Sequence, residues 1–403
     1  MVQYTARLRT SLITRGIQTL VLTSRDAARL AADPEVWGVV RSWKPADLVP
    51  LARAVHATQA DILHIQHAAG THGFRRAPFL IPLLLRATGW RAPIVTTVHE
   101  YGWWEWQPRA IPARPLEWVK QWGQHRGWWD REDGFLLTLS DALITTNADA
   151  EAVSQAWLPH LAGRLTRIPV GLNVEVVPID RPGARCLLRW DCDWPDDATV
   201  IAFFGFLHPA KGLETLLPAF EQVHAARPRT RLLLVDGVES LALRDEQAAS
   251  YWDRLQSRIA GLGLTGLVRM TGYLPADDVS RYLSGADIGV LPFNGGTTLK
   301  SGSLLILLAH SLPVVATRHE PPDPDLEHKP AIRLISPRDV DALVAALLEL
   351  PADSAASRQF RAPRAFAGDG FAWPNIARRH LDVYQRLLER RLPGSAGLPV
   401  TLD

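Results

Sequence analysis

The sequence is short of the features that mark several large protein classes. It holds two cysteines, Cys186 and Cys192, in 403 residues. Two neighbouring thiols make neither a disulfide framework nor a zinc site, and a reducing cytoplasm suits them. No run approaches the ~18 consecutive apolar residues of a membrane-spanning helix; residues 288–292 and 304–308 are apolar but short. Residues 1–15 lack the apolar core and small-residue cleavage site of a secretion signal. The formal net charge is only +2, without the basic excess of a general nucleic-acid binder, so no nucleic-acid partner is expected. Repeats of 20–50 residues are also missing, which excludes a solenoid. What these absences leave is a globular, cytoplasmic chain, 47% hydrophobic and 21% charged. It is too long for one typical core, so two domains are expected.

What is present is an alternation of helical and strand patterns, the mark of α/β folds with parallel sheets. In the first half, helices are expected at 3–15, 48–58, 77–88 (kinked at Pro82) and from 148. Strands are expected at 18–23, 62–66, 94–99, 142–146 and 167–169. Residues 176–197, rich in Pro, Arg, Asp and Trp without periodicity, read as a linker. The alternation then restarts, with strands at 200–204, 231–235, 268–271, 288–291, 314–317 and 333–335. Helices are expected at 213–227, 246–260, 276–284, 303–309, 340–350 and 373–391. Residues 351–369 read as loop or partial helix, and 392–403 as a frayed tail. Of 15 tryptophans, Trp103, Trp104, Trp106, Trp118, Trp122, Trp128 and Trp129 crowd one segment, 101–133.

Two stretches carry phosphate-binding chemistry. Residues 203–212 (FFGFLHPAKG) run from a strand through Gly205 to Lys211 at the start of a helix. Glycine admits close backbone approach, and a helix N-terminus offers free N–H groups and partial positive charge. Residues 292–302 (PFNGGTTLKSG) enter the next helix through Lys300, Ser301, Gly302 and Ser303, a second arrangement that could face an anion. Each alone also fits an ordinary capped strand–helix turn. Their placement at strand carboxyl ends, where ligands of such sheets bind, strengthens the pair.

Together these stretches resemble the group 1 (family 4) glycosyltransferases, over nearly the whole chain. Residues 168–173 (IPVGLN), 232–237 (LLLVDG), 268–274 (VRMTGYL), 285–291 (GADIGVL) and 312–317 (LPVVAT) are similar to family segments in order and spacing. The resemblance implies an α/β GT-B fold, two Rossmann-like domains with parallel sheets facing a central cleft. Its parts would be an acceptor-side domain at 1–175 with the Trp-rich insertion, the linker, a nucleotide-sugar-binding domain at 198–370, and a helix at 371–392 crossing back to the first domain. It implies transfer of a sugar from a nucleotide diphosphate sugar to a glycan or lipid-linked acceptor, with retention, without a metal or other cofactor, in bacterial polysaccharide or glycolipid assembly. On this resemblance His99 reaches the donor sugar as the catalytic candidate. Gly205, Lys211, Lys300, Ser301, Gly302 and Ser303 hold the diphosphate, and Thr297, Thr298, Gly171 and Asn173 lie near the donor sugar and nucleoside.

The chain also departs from the family pattern. The paired glutamates expected at the donor loop fall on Thr298 and Ile306, and the arginine after the first glycine on Phe206. The family's opening strand has no counterpart before the first helix: either the true start lies upstream or this form lacks the strand, and the first sheet is expected to lack it. These departures keep open a catalytically inactive binding or regulatory subunit of the same fold; an epimerase or sugar-diphosphate hydrolase would need placed carboxylates that are not assignable. His64 and His67, an odd number of residues apart on a strand, should face opposite ways and so make a poor metal pair. The Trp-rich segment, with Arg109, Arg114, Lys120, His125 and Arg126, suits a small core of its own, sugar stacking, or peripheral contact at the inner face of a membrane.

Overall fold

The computed structural model describes residues 2–108, 111–132, 134–235, 245–327, 329–350 and 370–390. The expectations for 351–369 and 392–403 lie outside them. The chain divides into two units, Met1–Gly171 with Trp373–Asp403, and Leu172–Ala372.

The first unit runs α1 (Val2–Ile13), β1 (Val21–Ser24), α2 (Arg25–Ala31), β2 (Val36–Val40), α3 (Leu48–Thr58), β3 (Leu63–His67), α4 (Ile81–Ala87), β4 (Ile94–Val98), α5 (Ala113–His125), β5 (Ala142–Thr145), α6 (Ala148–Trp157) and β6 (Leu165–Arg167). Its main sheet is parallel, in the order β3-β4-β5-β6. Strand β4 (IVTTV) is buried along its length, as befits a β-branched run covered on both faces. Asn147 caps α6 by accepting from the Ala150 N–H, satisfying one of the donors a helix start leaves open. Strand β1 pairs with β2 in a parallel ribbon separate from the main sheet. Strand β2 went unread in the sequence because its exposed Trp37 and Gly38 blur the pattern.

Three local expectations need correction. Residues 77–88 do not form one kinked helix; a 3-10 turn, Ala77–Leu80, leads into α4, and Pro82 falls in the first turn of α4, where a missing N–H breaks no bond. The strand expected at 167–169 lies earlier, as β6. The supposed linker 176–197 contains a regular helix, α7 (Arg181–Asp191), with Asp180 accepting from the Gly183 N–H and Pro182 at its start. Its arginines hid the pattern, because they point inward.

The second unit continues with β7 (Thr199–Phe204), α8 (Leu213–Ala226), β8 (Thr230–Val235), α9 (Asp245–Gly261), β9 (Val268–Met270), α10 (Ala276–Gly285), β10 (Ile288–Leu291), α11 (Gly302–Ala309), β11 (Val314–Thr317), β12 (Ile332–Ile335) and α12 (Val340–Glu349). All six strands are parallel, ordered β12-β11-β10-β7-β8-β9. The chain starts at the centre, builds one side and then the other, so β7 and β10 flank the topological switch point of a Rossmann sheet. The last helix, α13 (Trp373–Glu389), belongs to the first unit. Its Ile376, Ala377, Val383 and Leu387 pack with Tyr4, Leu8 and Leu12 of α1.

Beneath the switch point sits a buried ion pair. Asp287, just before β10, accepts from the Arg189 Nη2 at 2.7 Å and from the Val200 N–H at 2.9 Å. Arg189 also donates to the Ala198 carbonyl at 2.6 Å and the Gly285 carbonyl at 2.9 Å. Arg189 is 1% exposed and Asp287 4%. Burial and the nearby Arg185 and Arg181 bring the guanidinium down to about 10, so it stays charged at neutral pH. Removing one partner strands the other's charge, a loss of about 3–5 kcal/mol, whereas replacing both by apolar groups can be nearly neutral. Urea unfolding should therefore show Asp287→Leu costing about 3–5 kcal/mol, and Asp287→Leu combined with Arg189→Met costing clearly less.

Candidate donor site and the histidine network

At the carboxyl end of β7, Gly205 has φ 139°, a conformation open to glycine and few other residues. A Cβ there would lie 2.7 Å from the Ser303 Oγ, so the backbone after β7 touches the first turn of α11. The chain then makes a 3-10 turn, Pro209–Lys211, with the His208 side chain accepting from the Ala210 N–H. Gly212 follows with φ 69° and leaves no room for a side chain, because a Cβ would overlap the Pro292 carbonyl. The two candidate loops are clipped together here. The Asn294 N–H donates to the Ala210 carbonyl at 3.0 Å, and the Asn294 amide to the Pro209 carbonyl at 2.9 Å.

Lys211 sits in this clip with its Nζ 3.8 Å from the centroid of the Phe293 ring. Burial lowers its pKa, and it has no carboxylate partner among the described residues. Ser301 caps α11 by accepting from the Leu304 N–H at 3.3 Å. That leaves the N–H groups of Gly302 and Ser303 at an open helix start. Asn173 lies beside them; a Cβ on Gly302 would be 4.0 Å from its Nδ2. Thr298 bends the loop, its carbonyl accepting from the Ser301 N–H at 2.9 Å and its hydroxyl from the Lys300 N–H at 3.3 Å. Asp323 steadies the loop by accepting from the Leu299 N–H at 2.9 Å. Thr297 is buried and bonds through its N–H to the Thr317 carbonyl at 2.8 Å, while Lys300 is exposed.

The structure thus gathers Gly205, Lys211, Ser301, Gly302, Ser303 and Asn173 around the carboxyl ends of β7 and β10. Gly171 belongs to the first unit instead, and its lack of a side chain has a packing cause: a Cβ would sit 2.5 Å from the Trp373 indole. Ile306 is 2% exposed and lies in the core, so its position offers no polar group; Phe206 is half exposed. Asn294 and Phe293 went unread as site residues. The PFNGG run signalled a loop, and nothing in it showed that Asn294 would hold the other one.

His99 follows β4. Its N–H donates to the His67 carbonyl at 3.0 Å, and its own carbonyl accepts from the Asn147 amide at 3.1 Å. Its Nε2 lies 3.0 Å from the Gln66 Oε1, and its ring meets Tyr4 edge-on at 4.7 Å. His64 bonds to the Tyr384 hydroxyl at 2.5 Å and to the Thr97 hydroxyl at 2.7 Å. His67 turns the other way, against Phe79 and His72, as the strand period requires. Among the described residues no cluster of three metal-ligating side chains occurs.

The Trp-rich segment carries α5 and an ionic core. Lys120 is 1% exposed and bonds to Glu105 at 3.0 Å and Glu117 at 2.6 Å. Arg76 likewise turns inward, donating to the Trp104 and Glu105 carbonyls. Trp118 and Trp122 stack at 6.1 Å, and the Arg126 guanidinium lies 4.5 Å from the Trp122 ring. Trp103, Trp106, Trp118 and Trp128 stay exposed; Arg109 lies outside the described residues.

Burial holds His99 at about 3 and His380 at about 4, and pushes His64 well below its ordinary value. An unfolded histidine titrates near 6.5. Between these values the unfolded chain binds more protons, so stability is complete above pH ~6.5 and falls as the pH drops towards 4. Of the 15 tryptophans, all but Trp190, Trp194 and Trp252 lie in the first unit. Urea unfolding followed by tryptophan fluorescence should show a midpoint that declines steadily from pH 7 to pH 5.

Residues 198–353 match the sequence profile of the group 1 glycosyl transferases. Over 161 residues the chain is 26% identical to a D-inositol 3-phosphate glycosyltransferase of Segniliparus rotundus, covering 40% of this chain and 33% of that one. Over 234 residues it is 27% identical to a GDP-mannose-dependent alpha-(1-6)-phosphatidylinositol monomannoside mannosyltransferase of Mycolicibacterium smegmatis, covering 56% and 58%. The matches thus span from a third to somewhat over half of these relatives. In three dimensions the chain is similar to a glycosyltransferase from Rickettsia africae, with a TM-score of 0.70 at 14% identity over 96% of this chain and 94% of that one. Residues 198–353 belong to the group 1 glycosyltransferases, and the chain has the GT-B fold with a Rossmann-like sheet in each unit. The resemblance read from the motifs is borne out.

Proposed function

We propose that the protein is a glycosyltransferase that binds the diphosphate of a nucleotide diphosphate sugar at Gly205, Lys211 and the start of α11, and passes the sugar to a glycan or lipid-linked acceptor. The observation that carries this reading is Lys211, a partly desolvated cation without a carboxylate partner among the described residues, held against Phe293 of the loop after β10 at the switch point of a Rossmann sheet. An unbalanced buried charge is costly, and an anionic ligand balances it. As the bond between sugar and diphosphate breaks, negative charge grows on the leaving group. An ammonium and helix N–H groups held in place before that charge appears would lower the barrier without rearranging.

The reading includes retention of anomeric configuration and independence of metal, with Lys211 and α11 supplying the charge. It also includes an acceptor held by the first unit, near His99. Exposed Trp103, Trp106, Trp118 and Trp128, with Arg126 stacked among them, support contact with sugar rings or an anionic membrane surface.

In a thermal-shift panel, one or more nucleoside diphosphates or their sugars should raise the melting temperature, since a ligand of the native state stabilises it. Lys211→Ala should remove that shift and lower donor turnover by about 10²–10³-fold, the scale of one lost charge-stabilising group. Turnover should persist in EDTA. If nucleotide sugars bind without being hydrolysed or transferred, the protein is a binding subunit of this fold, for which the absence of carboxylates at Thr298 and Ile306 speaks. Flotation with anionic liposomes tests the membrane contact, and wild-type protein that stays at the bottom of the gradient excludes it.

A further inference from the structure

His99 is joined to a chain of polar groups that ends on α13. Gln66 and His64 stand two residues apart on β3, so they share a face. The Gln66 Oε1 lies 3.0 Å from the His99 Nε2, and the Gln66 Nε2 lies 3.2 Å from the His64 Nε2. The His64 Nε2 is also 2.7 Å from the Thr97 hydroxyl, and its Nδ1 is 2.5 Å from the Tyr384 hydroxyl. A primary amide has one acceptor atom and one donor group. It therefore cannot serve two neighbouring imidazoles alike: the ring at its oxygen must donate and the ring at its nitrogen must accept.

From this juxtaposition we propose that Gln66 is a positioning residue that couples His99 to His64 and holds His99 as the neutral tautomer protonated at Nε2. The His99 Nε2–H donates to Gln66, the Gln66 amide and the Thr97 hydroxyl share the single lone pair of the His64 Nε2 as a three-centre bond, and the His64 Nδ1–H donates to Tyr384. The His99 Nδ1 then carries a lone pair. That atom has no hydrogen-bond partner among the described residues, so His99 meets a sugar hydroxyl as an acceptor, not as a donor. Without the amide, nothing in the network selects between the two tautomers of His99. The part of this inference that concerns turnover rests on the reading of His99 as a residue of the reacting site; the tautomer assignment does not.

The test begins with ¹⁵N-labelled full-length protein at neutral pH. Long-range ¹H–¹⁵N correlations distinguish protonated from unprotonated ring nitrogens, and His99→Ala identifies the His99 signals. His99 protonated at Nε2 in the wild type, with that preference lost in Gln66→Leu, is the expected result. A wild-type His99 protonated at Nδ1, or a Gln66→Leu spectrum unchanged at His99, overturns the proposal. The wild-type spectrum decides the assignment even if the variant does not fold. In kinetics, Gln66→Leu should lower kcat about tenfold, the scale of one hydrogen bond, with donor KM changed less than about twofold. The double variant Gln66→Leu/His99→Ala should be no slower than His99→Ala alone; additive losses overturn the positioning role. If the spectra are as expected but His99→Ala turns over donor at the full rate, the catalytic reading of His99 fails while the tautomer assignment stands.

Discussion

The second unit depends on one buried carboxylate. Asp287 takes a hydrogen bond from the first residues of β7 and an ion pair from Arg189, which also holds the Ala198 and Gly285 carbonyls. Helix α7 and the beginnings of β7 and β10 are thereby fixed to one another. Those two strands are the pair that separates at the switch point, and their far ends carry the two loops proposed to hold a diphosphate. The anchor at the amino ends and the opening at the carboxyl ends belong to the same two strands. A charge pair in so dry a place contributes little net stability against an apolar substitute, and its virtue is directional: greasy side chains would fill the space without fixing which strand starts where.

Much of this was legible in the sequence. The apolar runs of β4, β7 and β8 are buried on both faces, so composition alone marked them. Gly205 and Lys211 were found because a strand, a glycine and a lysine before a helix make a local signal. The remainder depended on tertiary context. Helix α7 was obscured because Arg181, Arg185 and Arg189 face Asp287, so the charged stripe that normally marks a solvent face marks an interior one. The burial of Lys120 had no sequence signal either, since its Glu105 partner comes from outside its helix. Gly171 lay inside a segment similar to the family's, and only its contact with Trp373 shows why glycine stands there. The role of Gln66 had no sequence signal, because it arises where β3, β4 and α13 meet.

The histidine network and the candidate donor site handle charge in opposite ways. The first sets the His64 and His99 imidazoles among hydroxyls and an amide. The second gathers a cation and helix N–H groups and leaves them unbalanced by its own carboxylates among the described residues. The first arrangement suits groups that choose between donating and accepting a single hydrogen bond; the second suits a ligand that brings its own negative charge.

The clip between the loops after β7 and β10 has a consequence for how such a site can change. Asn294 reads backbone carbonyls of the other loop, and at Gly212 the Pro292 carbonyl fills the space a side chain would need. The sequences of the two stretches are far apart, yet their shapes are one object. A graft that brings in a relative's loop on one side alone would present the wrong backbone to the other. Recombination aimed at a different sugar must move both stretches as a single cassette.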